Sequence, residues 1–326
     1  MIARRRVVVG LTLGAGLGGP AFGQDRPKII GALSPYSSAQ YEPIRELFSR
    51  SMLDLNYVNG KHFLVVERLA DGRNERLPGL AEELVKLKVD LILAQTTNAA
   101  AAARDAASSI PIVFFEVSDP VRAGFVESLG RPGRNMTGVS NLASDLTAKR
   151  LELLKRIVPG LTRVAALLNP TNPYVRLGVI ERVQRAADQL GLHALLIYAT
   201  SPEELEPAFR NIRQQGAEAV LVSADAYFWA HRQLIGGLAL SFRLPSMFAY
   251  AEYVDAGGLM SYGVDRPEGL SRAASYVAKI FKGARPADLP VQQPTKVDLV
   301  INRGTAEALG LSIPKTLLLE AEKVVG

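Results

Sequence analysis

Short apolar runs alternate with amphipathic stretches along nearly the whole chain. Residues 28–34 (KIIGALS) form an apolar run closed by Pro35, which predicts a buried strand. Residues 42–55 carry Ile44, Leu47, Phe48, Met52 and Leu55 at helical spacing. Strands are expected at 63–68 and 89–94, with an amphipathic helix at 75–88 between them. An Ala-rich helix follows at 98–109, then a strand at 112–115, a short helix at 121–129 and a fifth strand at 136–140. The alternation then restarts. Helices are expected at 146–157, 173–190, 202–215, 228–242 and 268–281. Strands are expected at 164–168, 194–198, 219–222, 246–248 and 259–263. A Pro-rich link over 286–294 leads to a last strand at 297–301, a short helical piece at 306–309 and a C-terminal helix at 317–324. Two such series predict an α/β protein of two doubly wound, parallel-sheet lobes.

The first 23 residues break this rhythm. Arg4, Arg5 and Arg6 precede an uncharged stretch from Val7 to Gly19, and Ala21-Phe22-Gly23 places small residues at a cleavage position. This is the form of an export signal cut after Gly23, and the apolar stretch is shorter than the roughly 20 residues needed to span a bilayer. The adjacent arginines leave both the general and the twin-arginine export routes open. Gly14-Ala15-Gly16-Leu17-Gly18-Gly19 matches G-x-G-x-x-G, but Pro20 follows and no helix can start there to hold a pyrophosphate. The match is a by-product of a Gly-rich leader.

Composition narrows the chemistry. The chain has no cysteine, which excludes disulfides, thiolate metal sites, a cysteine nucleophile and an N-terminal lipid anchor. The three leader arginines supply half of the formal charge of +6, and the remaining charges are interspersed. No basic run suggests nucleic-acid binding. His62, His193 and His231 lie far apart without metal-ligand spacing. No nucleophile elbow and no P-loop occur, and no histidine stands at a strand end to act as base, so no enzyme and no cofactor are expected.

In open parallel sheets, ligands sit beyond the carboxyl ends of the strands. The residues placed there are Ser34 and Tyr36; Gln95, Thr96, Thr97 and Asn98; Glu116, Val117, Ser118 and Asp119; Asn169 and Asn172; Ser223, Asp225 and Tyr227; and Tyr250 with Glu252. They are rich in hydroxyls and amides, which suits a small polar ligand. Thr96 and Thr97 open a helix whose free N–H groups favour an anion, although plain capping would use the same residues. Asp225 closes an apolar strand, where it can meet an ammonium group or cap the next helix. Asp119, before Pro120, reads as a turn or cap residue. Tyr36, Tyr227 and Tyr250 can stack on a ligand or serve as packing.

Several stretches resemble a known family. They are Asp71-Gly72-Arg73-Asn74-Glu75-Arg76-Leu77-Pro78, Ile110 to Phe114, Ser118-Asp119-Pro120-Val121, Arg131-Pro132-Gly133-Arg134-Asn135-Met136-Thr137-Gly138, Lys149 to Lys155, Ala256-Gly257-Gly258-Leu259-Met260-Ser261-Tyr262-Gly263 and Leu289 to Lys296. Together they resemble the ABC-transporter substrate-binding proteins related to tryptophan- and phenylalanine-type binders, over essentially the whole chain after the leader. The resemblance implies a type I periplasmic-binding fold with three crossovers, near residues 141, 262 and 293. Lobe 1 would be 28–141 plus 263–293, and lobe 2 would be 142–262 plus 294–326. It implies a carboxylate held by Gln95-Thr96-Thr97 and an amine held by Asp225, with Gln95 and Asn98 standing where many members have Gly and Pro. It also implies a monomer in the periplasm that delivers its solute to a membrane permease with a separate ATPase subunit. A ligand sensor for a membrane signalling protein is the alternative use of the same architecture. A sugar-responsive regulator would need a DNA-binding headpiece, which residues 1–27 cannot make.

Overall fold

The computed structural model describes residues 26–326 except 144, 173 and 174, and the expected leader lies outside the described residues. Among the described residues the strands form two sheets. The first has the order β2-β1-β3-β4-β5, from β1 (Lys28–Ser34), β2 (Phe63–Leu69), β3 (Leu91–Gln95), β4 (Ile112–Val117) and β5 (Met136–Ser140). All of its pairings are parallel. Helices α1 (Ser38–Asp54), α2 (Leu77–Lys86) and α3 (Thr96–Ala106) connect its strands.

The second sheet has the order β12-β11-β10-β9-β8-β6-β7. Its strands are β6 (Arg163–Leu168), β7 (His193–Tyr198), β8 (Ala219–Val222), β9 (Ser246–Phe248), β10 (Met260–Val264), β11 (Val297–Asn302) and β12 (Lys323–Val325). It is parallel except where β11 runs against β10. The helices of this half are α4 (Thr147–Ile157), α5 (Ile180–Gln189), α6 (Pro202–Gln214), α7 (Ala226–Ala230), α8 (Arg232–Ser241) and α9 (Glu252–Asp255). After β10 the chain returns to the first sheet as α10 (Arg266–Phe281), which packs on α1, β4 and β5. It then runs beside β5, where Gln292 pairs with Val139, before it enters β11. Two short helices, α11 (Arg303–Ala308) and α12 (Lys315–Glu320), precede β12.

Both sheets are covered on both faces, which is why their strands read as continuous apolar runs. Along β3, Leu91 and Leu93 face one core while Ile92 and Ala94 face the other. Along β6, Val164, Ala166 and Leu168 face one core while Ala165 and Leu167 face the other.

Four elements differ from expectation, each for a local reason. Residues 121–129 form turns, not a helix. Gly124 has φ of 71°, and the chain closes back on itself through Glu127 N–H to Pro132 C=O and Ser128 N–H to Arg131 C=O. The helix expected over 173–190 is broken at Gly178, whose φ is 132°; a π-turn (Val175–Val179) precedes α5. The helix over 228–242 starts earlier, because Asp225 caps Ala226, and it is interrupted at His231. The C-terminal helix stops at Glu320. The chain then pairs as β12 along the free edge of β11, which satisfies backbone groups a helix would leave exposed there.

Candidate functional site

Each sheet reverses its strand order at one point, between β1 and β3 in the first and between β6 and β8 in the second. The crevice beyond the strand ends at such a point is where this architecture holds ligands. The two crevices meet in one cleft. Its inner end is lined by Tyr36, Thr96, Thr97, Asn98, Glu116 and Ser118 from the first half, with Asn172, Asp225 and Tyr250 from the second. Asn141, just beyond β5, also lines it. The inner end is closed down to about 20 Å³, about the room of a single water. Asn98 also lines a wider outer cavity of about 400 Å³, together with Asn74, Asn169, Thr171 and Tyr227.

On one wall, α3 starts at Thr96 without a side-chain cap from Gln95. Thr96 has φ of 76°, a left-handed conformation rare for a β-branched residue. Its Oγ1 is buried without a hydrogen-bond partner, as is Oδ1 of Asn98. The helix N-terminus, with its unpaired N–H groups, therefore presents strained and unsatisfied polar groups to the cleft. The glycine position implied by the resemblance at Gln95 is displaced. Gln95 has φ of −94° and needs no glycine, and the left-handed backbone lies at Thr96.

On the other wall, Asp225 is 4 % exposed. Its Oδ1 accepts from Asn169 Nδ2 (3.1 Å), Tyr227 N (2.9 Å) and Phe228 N (3.3 Å), and its Oδ2 accepts from Asn172 Nδ2 (2.8 Å). It therefore does cap α7. It also makes no ion pair among the described residues. Burial raises its pKa above the ordinary value, and the two asparagine amides and the two backbone N–H groups work against that rise.

Between the walls lies a cation. Arg266, at the start of α10, donates from Nε to Glu116 Oε1 (2.8 Å) and from Nη2 to Glu116 Oε2 (3.1 Å). Its Nη1 reaches Glu252 (2.9 Å), and its Nη2 also meets the Tyr36 hydroxyl (3.3 Å). The guanidinium stacks 4.3 Å from the Trp229 ring centroid and 5.1 Å from that of Tyr250. Burial pulls its pKa down, but Glu116, Tyr36 and Glu252 outweigh it and hold the group well above the ordinary value. Arg232 covers Trp229 at the same 4.3 Å, and Tyr36 lies 4.8 Å from that ring.

The residues predicted from strand ends divide accordingly. Tyr36, Thr96, Thr97, Asp225 and Tyr250 line the inner cleft, and Asn169 lines the outer cavity while bonding Asp225. Ser34 and Gln95 are fully buried behind it. Ser34 Oγ donates to Gln95 Oε1 (2.8 Å), and Gln95 Nε2 donates to Glu116 (3.2 Å), which orients that carboxylate. Val117 is a core residue, and Asp119 lies outside the cavity, where it receives Arg182 Nη2 at 2.6 Å and the Arg122 N–H. Arg266, Trp229 and Asn141 were not anticipated. Asn141 and Arg266 stand just beyond β5 and β10, so the strand-end rule reaches them; Trp229 lies inside a helix and carries no such signal. Among the described residues no group of histidines and acids is placed to hold a metal, and no helix is long and apolar enough to cross a membrane.

The chain matches the family model for ABC transporter substrate binding proteins over residues 37–325. It is 24% identical over 286 residues to a tyrosine-binding protein of Clostridioides difficile (strain R20291), covering 88% of this chain and 82% of that one. A crystal structure of a conserved domain protein from Vibrio cholerae superposes with a TM-score of 0.85 at 27% identity, over 92% of this chain and 100% of that one. The ABC domain from Streptococcus pneumoniae in complex with L-Trp gives a TM-score of 0.83 at 24% identity, with the same coverage. The chain belongs to the family of ABC transporter substrate-binding proteins.

Proposed function

We propose that this substrate-binding protein holds a small α-amino acid or similar carboxylate and delivers it to a membrane permease whose ATPase is a separate subunit. The carboxylate would sit at the N-terminus of α3, on Thr96, Thr97 and Asn98, where N–H groups and the helix dipole favour an anion. The ammonium would sit on Asp225. The observation that carries the reading is Asp225 itself, a buried carboxylate without a cation, facing a helix N-terminus across one cleft. Relatives described as tyrosine-binding or crystallised with L-Trp are in keeping with an amino-acid head group.

The inner cleft is too tight to admit such a head group, so loading requires the lobes to part. Lobe 1 (28–141 plus 263–293) and lobe 2 (142–262 plus 294–326) would swing about the crossovers near 141, 262 and 293, the usual motion of binding proteins. The permease would read the closed form. We place the protein as a monomer in the periplasm, its leader cleaved after Gly23.

The test replaces Asp225 with Asn. Asn keeps the Oδ1 cap of α7 but turns an amide donor toward Asn172 Nδ2, so the variant should keep its fold with a lower thermal midpoint. Its affinity in calorimetry for the amino acid that binds wild type should drop by more than about tenfold, as expected for losing a charged hydrogen bond. An unchanged affinity would remove Asp225 from the site.

A further inference from the structure

We propose that the protein carries a second small-molecule site, an apolar cavity beside the cleft that takes a small apolar monocarboxylate with its carboxylate on Arg232. This goes beyond the amino-acid site and draws on that reading only for the parting of the lobes.

The cavity measures about 270 Å³, close to the lower end of small-molecule pockets at about 300 Å³. Its lining is mostly apolar: Pro43, Ile44 and Leu47 of α1, Phe115 of β4, Leu270 of α10 and Trp229 of α7. Glu116 lines both this cavity and the inner cleft, and its ion pair with Arg266 stands at their border. The occupant is therefore a separate molecule. A side chain reaching across from the cleft would displace that buried pair and strand a charge.

The charged groups on the wall are Glu116, Glu252, Arg232 and Arg266. Arg266 ties up both acids, Glu116 at 2.8 Å and Glu252 at 2.9 Å. Arg232 is different. Its Nη1 donates to the Trp229 carbonyl (3.2 Å) and its guanidinium lies 4.3 Å from the Trp229 ring centroid, but it makes no ion pair among the described residues. An apolar body filling the cavity expels water from this guanidinium, and donors left unmatched there weaken binding. A carboxylate on the same molecule supplies the acceptors, and a guanidinium can hold both of its oxygens at once. An ammonium would meet two guanidiniums and two carboxylates already taken.

The cavity also joins the two halves. Helix α1, β4 and α10 belong to the proposed lobe 1, whereas Trp229, Arg232 and Glu252 belong to the proposed lobe 2. Ile44 packs on both cores, the one with Phe115 and Leu270 and the one with Trp229. Parting the lobes would take the cavity apart, so an occupant stabilises the shut form. Occupant and amino acid then strengthen one another, as two sites coupled to one conformational change must.

The experiment titrates the stripped protein calorimetrically near neutral pH with 3-phenylpropionate, 3-phenylpropanol and 3-phenylpropylamine, which share one body and differ in the head. It is repeated on Arg232→Gln and Leu47→Trp, and with wild type saturated by whichever common amino acid binds it tightest. The carboxylate should bind at least about tenfold tighter than the alcohol or the amine, the size of a charged hydrogen bond. Arg232→Gln should erase that preference. Leu47→Trp, at a half-buried position of α1, should fill the cavity and abolish binding without loss of cooperative unfolding. The saturating amino acid should tighten the carboxylate about fivefold or more. Several outcomes overturn the inference and leave the amino-acid reading standing: no binding of the carboxylate, an alcohol or amine as tight, a preference that survives Arg232→Gln, undiminished binding to Leu47→Trp, or an amino acid that displaces the carboxylate or leaves its affinity unchanged. If the carboxylate shows these preferences and no amino acid binds, the amino-acid reading falls and this site stands.

Discussion

Asp225 is a helix cap and a buried charge at once, and the two roles answer differently to pH. Burial raises its pKa above the ordinary 3.8, so the folded protein holds this proton more tightly than the unfolded chain does. Between 3.8 and the raised value, folding takes up a proton, and the contribution of this group to stability falls as pH rises through that window. A ligand ammonium has the opposite preference, because it pairs with the ionised form. Affinity should therefore grow as pH rises through the same window and level off above it. Titrations at several points from about pH 4 to pH 7 check this. Asp225→Asn should flatten the contribution of this group, and a wild-type affinity that is flat over the range contradicts the pairing. The identity of this residue was legible in the sequence because an acid at the end of a fully apolar strand has few other uses. That it caps α7 while two asparagine amides hold it was not, since this depends on Asn169 and Asn172 arriving from another strand end. Thr96 shows the converse. Its place at a strand end was readable, but its left-handed backbone was not, because nothing in a threonine signals positive φ.

At the scale of elements, the start of α10 decides how the two sheets meet. Its N-cap Asp265 accepts from Glu268 N, and the next residue, Arg266, points into the cleft between Glu116 of β4 and Glu252 of α9. The side chains of Arg266 and Glu116 are 8% and 9% exposed. Arg266→Ala would strand a buried carboxylate and should cost about 3–5 kcal/mol of unfolding free energy, measured by urea denaturation. The double replacement Arg266→Met with Glu116→Gln should recover much of that loss; a double variant as unstable as the single one would show that packing, not charge, is at stake. Apolar periodicity carried the strands well, because both sheets are buried on both faces. It failed where tertiary context overrides local pattern. The stretch 121–129 has helical residues but turns on Gly124, and the last segment becomes β12 because β11 leaves an edge to fill. Arg266 was invisible as a site residue for a related reason: one arginine at a helix start looks like any other until its partners are known.

At the scale of the molecule, the two halves also touch outside the inner cleft. Arg182 meets Asp119, Arg122 meets Glu181 at 3.4 Å, and Gly178 lies so close to Arg122 that a Cβ would stand 2.7 Å from its guanidinium carbon. These contacts join what the proposed hinge separates, so they must form and break with each cycle of loading. The wall of Trp229 breaks with them. This is the single tryptophan of the chain, and in the closed cleft it is pressed between two guanidiniums with Tyr36 beside it. The protein thus carries its own optical gauge. Parting the lobes would move Tyr36, Glu116 and the Arg266 guanidinium away from the indole and admit water, shifting its emission to longer wavelength. Adding ligand to the emptied protein should bring the emission back toward the blue, and stopped-flow recording of that change would time the closure without any label. An emission maximum that ignores a ligand proven to bind by calorimetry would mean the lobes stay shut around Arg266 throughout.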